Sequence, residues 1–149
     1  MRWCGRCRDL YNAALEQRII AYQRRRVSLS RYEQEAELKA IRAAFPAYAA
    51  LHSHLLQDTL ARLDKTYQAF FRRIQCGEKA CFPRFKGRNR SHSFTVKEYG
   101  NGAALDTGFL VLSKIGRIRV HWSRPIEGVP KTVALSQRGG WLVCLAFLR

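Results

Sequence analysis

Negative charge is what this sequence has least of. Eleven Asp and Glu stand against 27 Lys and Arg, a formal net charge of +16 in 149 residues. The shortage runs along the whole chain: residues 1–75 hold 14 cations and 7 acids, residues 76–149 hold 13 and 4. The acids of the second half, Glu78, Glu98, Asp106 and Glu127, are isolated from one another. Phosphodiester cleavage at paired metals needs several converging carboxylates, so no such centre is expected. Long apolar runs are missing too. The longest, Trp141 to Leu148, has 8 residues and is too short to cross a bilayer as a helix. Met1-Arg2-Trp3-Cys4 leads straight into polar, helical sequence, so no secretory leader is expected. There is no glycine-rich phosphate loop ending in Gly-Lys-Ser/Thr and no GxSxG elbow.

The excess of positive charge is the main functional signal. Self-repulsion of this size works against a compact state unless a polyanion is near. Nucleic acid is the leading polyanion. An anionic membrane surface comes second, and it is set aside because no long basic amphipathic helix is present. Five cysteines, an odd number in a chain without a leader, point to reduced thiols and a cytoplasmic location.

The order of the elements is legible from periodicity. A first helix is expected from about Cys7 to Arg25, with Cys7, Tyr11, Ala14, Leu15, Ile19 and Tyr22 on one stripe. Arg24-Arg25-Arg26 closes it, where cations suit the helix dipole; phosphate contact is the alternative reading. A second helix starts at Ser30, which with Glu33 fits a capping box, and Pro46 ends or bends it. The third is the strongest: Leu55, Leu56, Thr59, Leu60, Leu63, Tyr67, Phe70, Phe71 and Ile74 keep helical spacing through five turns, a wide core-facing stripe. Its aromatics are read as core, and Gln57, Asp58, Arg62, Asp64 and Arg72 as its polar face. Gly77 is placed to stop it.

From Cys81 to Arg90 cations alternate with aromatic, Pro and Gly residues and no acid interrupts. Such a run is either a solvated linker or a track for a nucleic-acid backbone. Strand signals follow: Ser93–Lys97, Phe109–Leu112, Arg117 to Trp122, Thr132–Ser136 and Trp141–Leu148, with turns at Tyr99–Gly102, Lys114–Gly116 and Arg138–Gly140. Arg117, Arg119 and His121 would share one face of their strand. The last strand is apolar on both faces, so both should be covered.

The cysteines allow one metal reading. Cys4 and Cys7 form a CxxC, and Cys76 and Cys81 flank Gly77. Four thiolates suit zinc only if the two pairs meet, the second pair is loosely spaced, and Cys7 belongs to an apolar stripe. No metal and no cofactor are therefore expected. His52, His54, His92 and His121 lack ligand spacing and are read as surface or DNA-facing.

Several segments together resemble a known family. Cys7-Arg8-Asp9-Leu10-Tyr11-Asn12-Ala13-Ala14-Leu15-Glu16-Gln17-Arg18, Leu56-Gln57-Asp58-Thr59-Leu60-Ala61-Arg62-Leu63-Asp64 with Phe70-Phe71, Phe82-Pro83-Arg84-Phe85-Lys86 with Ser93-Phe94, and Gly140-Trp141-Leu142-Val143 occur in the order seen in TnpB/OrfB proteins of insertion sequences. The resemblance implies an RNA-guided DNA endonuclease relationship, with a small β-barrel carrying a helical insertion that grips guide RNA and reads DNA beside the target. The family's nuclease domain, with its three acids and zinc ribbon, is expected to be absent here, as is its opening strand before the first helix. The expected fold is therefore α+β, a three-helix bundle inserted in or packed on a small antiparallel β-barrel. A helix-turn-helix-like recognition part would span 1–76, a basic connecting loop 77–92 and the β-barrel 93–149. The expected function is binding without catalysis, with DNA and structured guide RNA as partners and another domain or chain over the last strand. The alternatives are a stand-alone repressor-like DNA binder or a truncated transposase remnant. Gln57 is expected to face target-flanking DNA, where Gln suits adenine edges. Arg84, Lys86, Arg88 and Arg90 are the first candidates for phosphate contact, with Arg72, Arg73, Arg117 and Arg119 behind them.

Overall fold

A computed structural model describes residues 2–88, 90, 92–137 and 140–147. The chain is mixed α+β. Helices α1 (Arg2–Arg25), α2 (Arg31–Ala44), α3 (Pro46–Ala49) and α4 (Ser53–Gln75) precede strands β1 (Ser93–Val96), β2 (Ala103–Asp106), β3 (Phe109–Leu112), β4 (Gly116–Arg119), β5 (Pro130–Gln137) and β6 (Trp141–Phe147). None of the described helices is long and apolar enough to cross a membrane.

Helix α1 starts five residues earlier than periodicity suggested. Trp3 extends its stripe by one turn. It packs edge-on against Phe94 at 4.5 Å and lies 5.5 Å from Trp141, ring centre to ring centre. The capping box of α2 forms as expected: the Glu33 backbone N–H donates to Ser30 Oγ, and the Ser30 N–H donates to Glu33 Oε2 at 2.6 Å. Pro46 ends this stretch and opens the single turn of α3, where its missing N–H costs nothing. Helix α4 stops at Gly77, whose φ of +70° suits glycine. There the Glu78 N–H reaches the Arg73 carbonyl at 2.9 Å and the Gly77 N–H the Ile74 carbonyl at 3.1 Å, a Schellman closure of the last turn.

Helix α4 divides the molecule. Leu56, Leu60, Leu63 and Tyr67 join Leu10, Tyr11, Leu15 and Leu38 in a helical core. Leu55, one residue along from Leu56 and on a different face, joins Cys7 and the strand residues Phe94, Val96, Leu110, Val133 and Leu135 in a second core. Burying a leucine of this kind stabilises by about 1.5–3 kcal/mol, and α4 contributes to both cores.

The β part corrects the expected closed barrel. Two separate three-stranded antiparallel sheets form, ordered β1-β5-β6 and β2-β3-β4. They share the inner core, and among the described residues they meet at a corner, where the Tyr99 N–H donates to the Lys131 carbonyl at 2.9 Å and Tyr99 bridges to Ala103. Residues 120–129, which include Pro125 and Gly128, form no strand to join β4 to β6, and Pro cannot donate to a ladder. Strand β4 accordingly ends at Arg119, short of the expected Trp122. Strand β2 was missed: Ala-Ala-Leu-Asp carries no β-branched residue, and its pairing with β3, Ala103 to Leu112 through Asp106 to Phe109, holds it extended. The turn expected at Arg138–Gly140 lies largely outside the described residues, as does the last residue of the expected final strand. Strand β6 is a sheet edge. Its inner face, Trp141, Val143 and Leu145, is half-buried, while Leu142, Cys144 and Ala146 on the other side are exposed, Leu142 at 55%.

Candidate nucleic-acid interface

The segment between α4 and β1 has no regular structure, yet it is tied down at both ends. Pro83 is buried, and the Phe82 ring stands perpendicular to Tyr67 at 5.8 Å and nearly so to Phe70 at 5.4 Å. Three residues further on, Asn12 of α1 holds the backbone of Lys86 from both sides. The Lys86 N–H donates to Asn12 Oδ1 at 2.8 Å, and Asn12 Nδ2 donates to the Lys86 carbonyl at 3.0 Å. The Lys86 ammonium turns inward over the Tyr11 ring, 4.2 Å from its centre, a cation–π contact strengthened by partial burial. That burial, followed by the charge of Arg62, lowers the Lys86 pKa, while Asp58 and Cys7 oppose the shift. A weaker tie runs from Arg8 Nη1 to the Arg88 carbonyl at 3.4 Å.

Between these ties the remaining cations face solvent: Arg84, Arg88 and Arg90 are exposed, as is Phe85. The alternation read in the sequence thus separates anchors from presented groups. Phe82, Pro83 and Lys86 anchor; Arg84, Arg88 and Arg90 are presented. Arg72 and Arg73 are also exposed, in the last turn of α4 where the loop begins.

The other candidates lie elsewhere. Gln57 is half-buried near the start of α4. Arg117 and Arg119 sit on β4, exposed, in the sheet with which residues 76–92 share no hydrogen bond among the described residues. Arg117 is already matched, 3.1 Å from Asp106 and over the Phe109 ring at 4.5 Å. Arg119 lines a second cleft beside Trp122 and Trp141.

Two joints that periodicity left on the solvated face hold this geometry. Asp58, only 7% exposed, accepts from Arg62 Nε at 2.8 Å and from the Thr95 N–H at 3.1 Å. Arg62 in turn donates to the Ser93 carbonyl, to Ser93 Oγ at 2.6 Å and to Thr95 Oγ1. This joint pins β1 to α4. The Asp58–Arg62 spacing of four residues was its only local signal. Arg18 makes the other joint, donating to Gln34 Oε1 at 2.8 Å and to Asp64 at 3.2 Å beneath the Tyr67 ring. Buried charges are tolerated when paired and hydrogen-bonded in this way.

Among the described residues no three His, Cys, Asp or Glu side chains cluster to hold an ion. Burial pushes the Cys4 thiol up to about 11, with Cys7 adding to the shift, and burial likewise raises Cys7. Neither is poised as a thiolate.

No protein-family profile matches the chain. Over 156 aligned residues, 97% of this chain, it is 30% identical to the putative RNA-guided DNA endonuclease InsQ of Escherichia coli (strain K12). The resemblance to TnpB/OrfB proteins holds. The match lies in the N-terminal region of InsQ, and the chain spans about a third (35%) of that relative's length.

Proposed function

We propose that this chain is the nucleic-acid-gripping part of a TnpB/OrfB-like insertion-sequence protein, binding guide RNA and target-flanking DNA without performing a catalytic step itself. The observation that carries this is the strapped loop: Arg84, Arg88 and Arg90 project from a backbone held by Asn12 and Phe82. Cations on a pre-ordered backbone lose less freedom on binding than cations on a free linker. Each neutralised phosphate releases counterions. The similarity to a protein described as an RNA-guided DNA endonuclease supports RNA and DNA as the two polyanions.

Within this reading residues 1–76 are a helix-turn-helix-like recognition part, 77–92 the phosphate track and 93–149 a β part that fixes the track's far end. Arg72 and Arg73 extend the track, Lys86 anchors it and adds charge from beneath, and Gln57 reads a base edge of flanking DNA. Arg117 and Arg119 form a secondary contact. The exposed outer face of β6, with Leu142, Cys144 and Ala146, supports a further domain or partner chain lying over it, since edges with apolar faces otherwise promote aggregation.

The test is a salt titration of binding to structured RNA and to duplex DNA, with Arg84→Ala/Arg88→Ala/Arg90→Ala in parallel. The log–log slope should fall by about 2–3 in the variant, at about 0.7–0.9 per phosphate contact removed. An unchanged slope would remove the loop from the binding surface.

A further inference from the structure

The helical stripe of α4 does not end in the core. Phe71 is 53% exposed, and with Phe70, Phe82 and Tyr22 of α1 it lines a cleft of about 580 Å³, a size typical of small-ligand sites. The floor is Tyr67 and Arg18, the latter already paired with Asp64. No two of the cleft's rings stack face to face in parallel. Phe82 meets Tyr67 and Phe70 at 90° and 82°, and the closest to parallel, Tyr67 with Phe71, is tilted by 30° at 6.2 Å. No carboxylate lines the cleft. At its mouth Arg26 lies over the Tyr22 ring, 5.2 Å from its centre. Arg26 has a φ of +54° and closes α1: its N–H reaches the Tyr22 carbonyl at 3.0 Å and the Val27 N–H the Ala21 carbonyl at 3.4 Å, a left-handed helix end that costs a non-glycine residue about 1–2 kcal/mol and sets the arginine at the cleft.

We propose that this cleft takes an unpaired nucleobase of a single-stranded nucleic-acid segment, with Phe71 and Phe82 as the stacking surfaces and Arg26 on the adjoining phosphate. The charge argues for this occupant: an open aromatic cleft lined by Arg18 and Arg26, in a chain whose exposed Arg72, Arg73 and Arg84 adjoin Phe71 and Phe82 in sequence, suits a ligand that is planar and apolar in one part and anionic in the next. A base in a duplex has both faces covered and cannot enter; an unpaired base can. The cleft also lies where the phosphate track begins, since Phe82 belongs to both. The inference rests on the nucleic-acid reading above and adds to it a site that engages the base itself.

The experiment compares a labelled oligouridylate of about 12 nucleotides with an abasic strand of the same length and charge, using the full chain. The wild type should bind the base-bearing strand about tenfold more tightly, the typical scale for stacking of a base on an aromatic side chain. Phe71→Leu keeps apolar bulk at a half-exposed position, so folding is not at stake; it should shrink that gap and leave the abasic affinity and the salt slope unchanged, whereas Phe82→Leu, which also loosens the anchor of the loop, should weaken both strands and the base-bearing one more. Phe71→Tyr should keep the gap. Arg26→Gly relieves the left-handed strain and should weaken both strands. Equal binding of the two strands by the wild type, or equal losses on both in the leucine variants, would overturn the cleft assignment while leaving the track intact. A cleft occupied by a second copy of the chain would show as a dimer that Phe71→Leu dissociates without touching oligonucleotide binding, and that too would overturn it. Failure of the wild type to bind either strand would overturn the nucleic-acid reading as well.

Discussion

The two ends of α4 carry the same pattern and meet different fates. From Leu55 to Leu63 every stripe residue is buried, and Leu56 and Leu63 have no accessible surface. From Phe70 onward the spacing continues unbroken, yet Phe71 and Ile74 are more than half exposed. The first half is enclosed because α1 and α2 lie on one side and the sheets on the other. The second half is only partly covered: Tyr22 and Arg26 border Phe70 and Phe71 across an open cleft, and the chain turns away at Gly77. Periodicity reports which residues share a face; it does not report whether anything in the same chain covers that face. In a chain this basic, an uncovered aromatic face beside arginines is better understood as a ligand surface than as unfinished core.

Breaking the buried half should have the largest effect. Leu63→Ala should cost about 2–5 kcal/mol in urea unfolding, the range for a buried leucine that leaves a cavity. Ile74→Ala, on the same stripe, should stay within about 0.5 kcal/mol as a surface change. Comparable losses at the two positions would erase the distinction between the halves.

The joint beside the buried half should come next. Asp58→Ala removes the acceptor of the Arg62 and Thr95 bonds and leaves buried donors unpaired, a loss of about 1–3 kcal/mol. It should also loosen β1, read as faster amide exchange at Phe94 and Val96. An unchanged exchange rate would remove Asp58 as the pin between α4 and the sheet.

The smallest effect belongs to the start of α4. His52 caps it, its Nδ1 accepting from the His54 N–H at 3.2 Å, which requires that nitrogen to be unprotonated. Burial, then the charges of His54, Lys114 and Arg42, lower the His52 pKa, with Asn101 opposing. The unfolded chain therefore takes up the proton first as pH falls, so stability present above the unfolded value of about 6.5 is lost below it. His52→Asn keeps a capping side chain that does not titrate. The variant should lose less stability than the wild type between neutral and mildly acidic pH, as read by unfolding midpoints. Parallel losses would mean that His52 does not titrate across folding.

Much of this architecture was legible locally. Ser30 with Glu33, Pro46 and Gly77 each act within a few residues, and each did as its chemistry dictates. What escaped was non-local. Lys86 reads as one more cation in a basic run until Asn12 and Tyr11, more than 70 residues away in sequence, are placed against it. Asp58 and Arg62 read as solvated until β1 arrives to take their bonds. The two open sheets instead of one barrel follow from residues 120–129 forming no strand, an absence that strand propensity in the flanking segments does not reveal. The outward set of Arg84, Arg88 and Arg90 lay within the run that sequence had marked; its rigidity did not.

The central claim is that an ordered cationic loop, rather than total charge, binds nucleic acid. The most direct measurement sets Arg84→Ala/Arg88→Ala/Arg90→Ala against a triple change of equal charge at Arg117, Arg119 and Arg124, the last exposed in the irregular segment after β4, in the same RNA salt titration. If the loop is the surface, the first variant loses about 2 of slope and the second far less. Equal losses from both would show that net charge alone attracts the RNA, and would contradict the account.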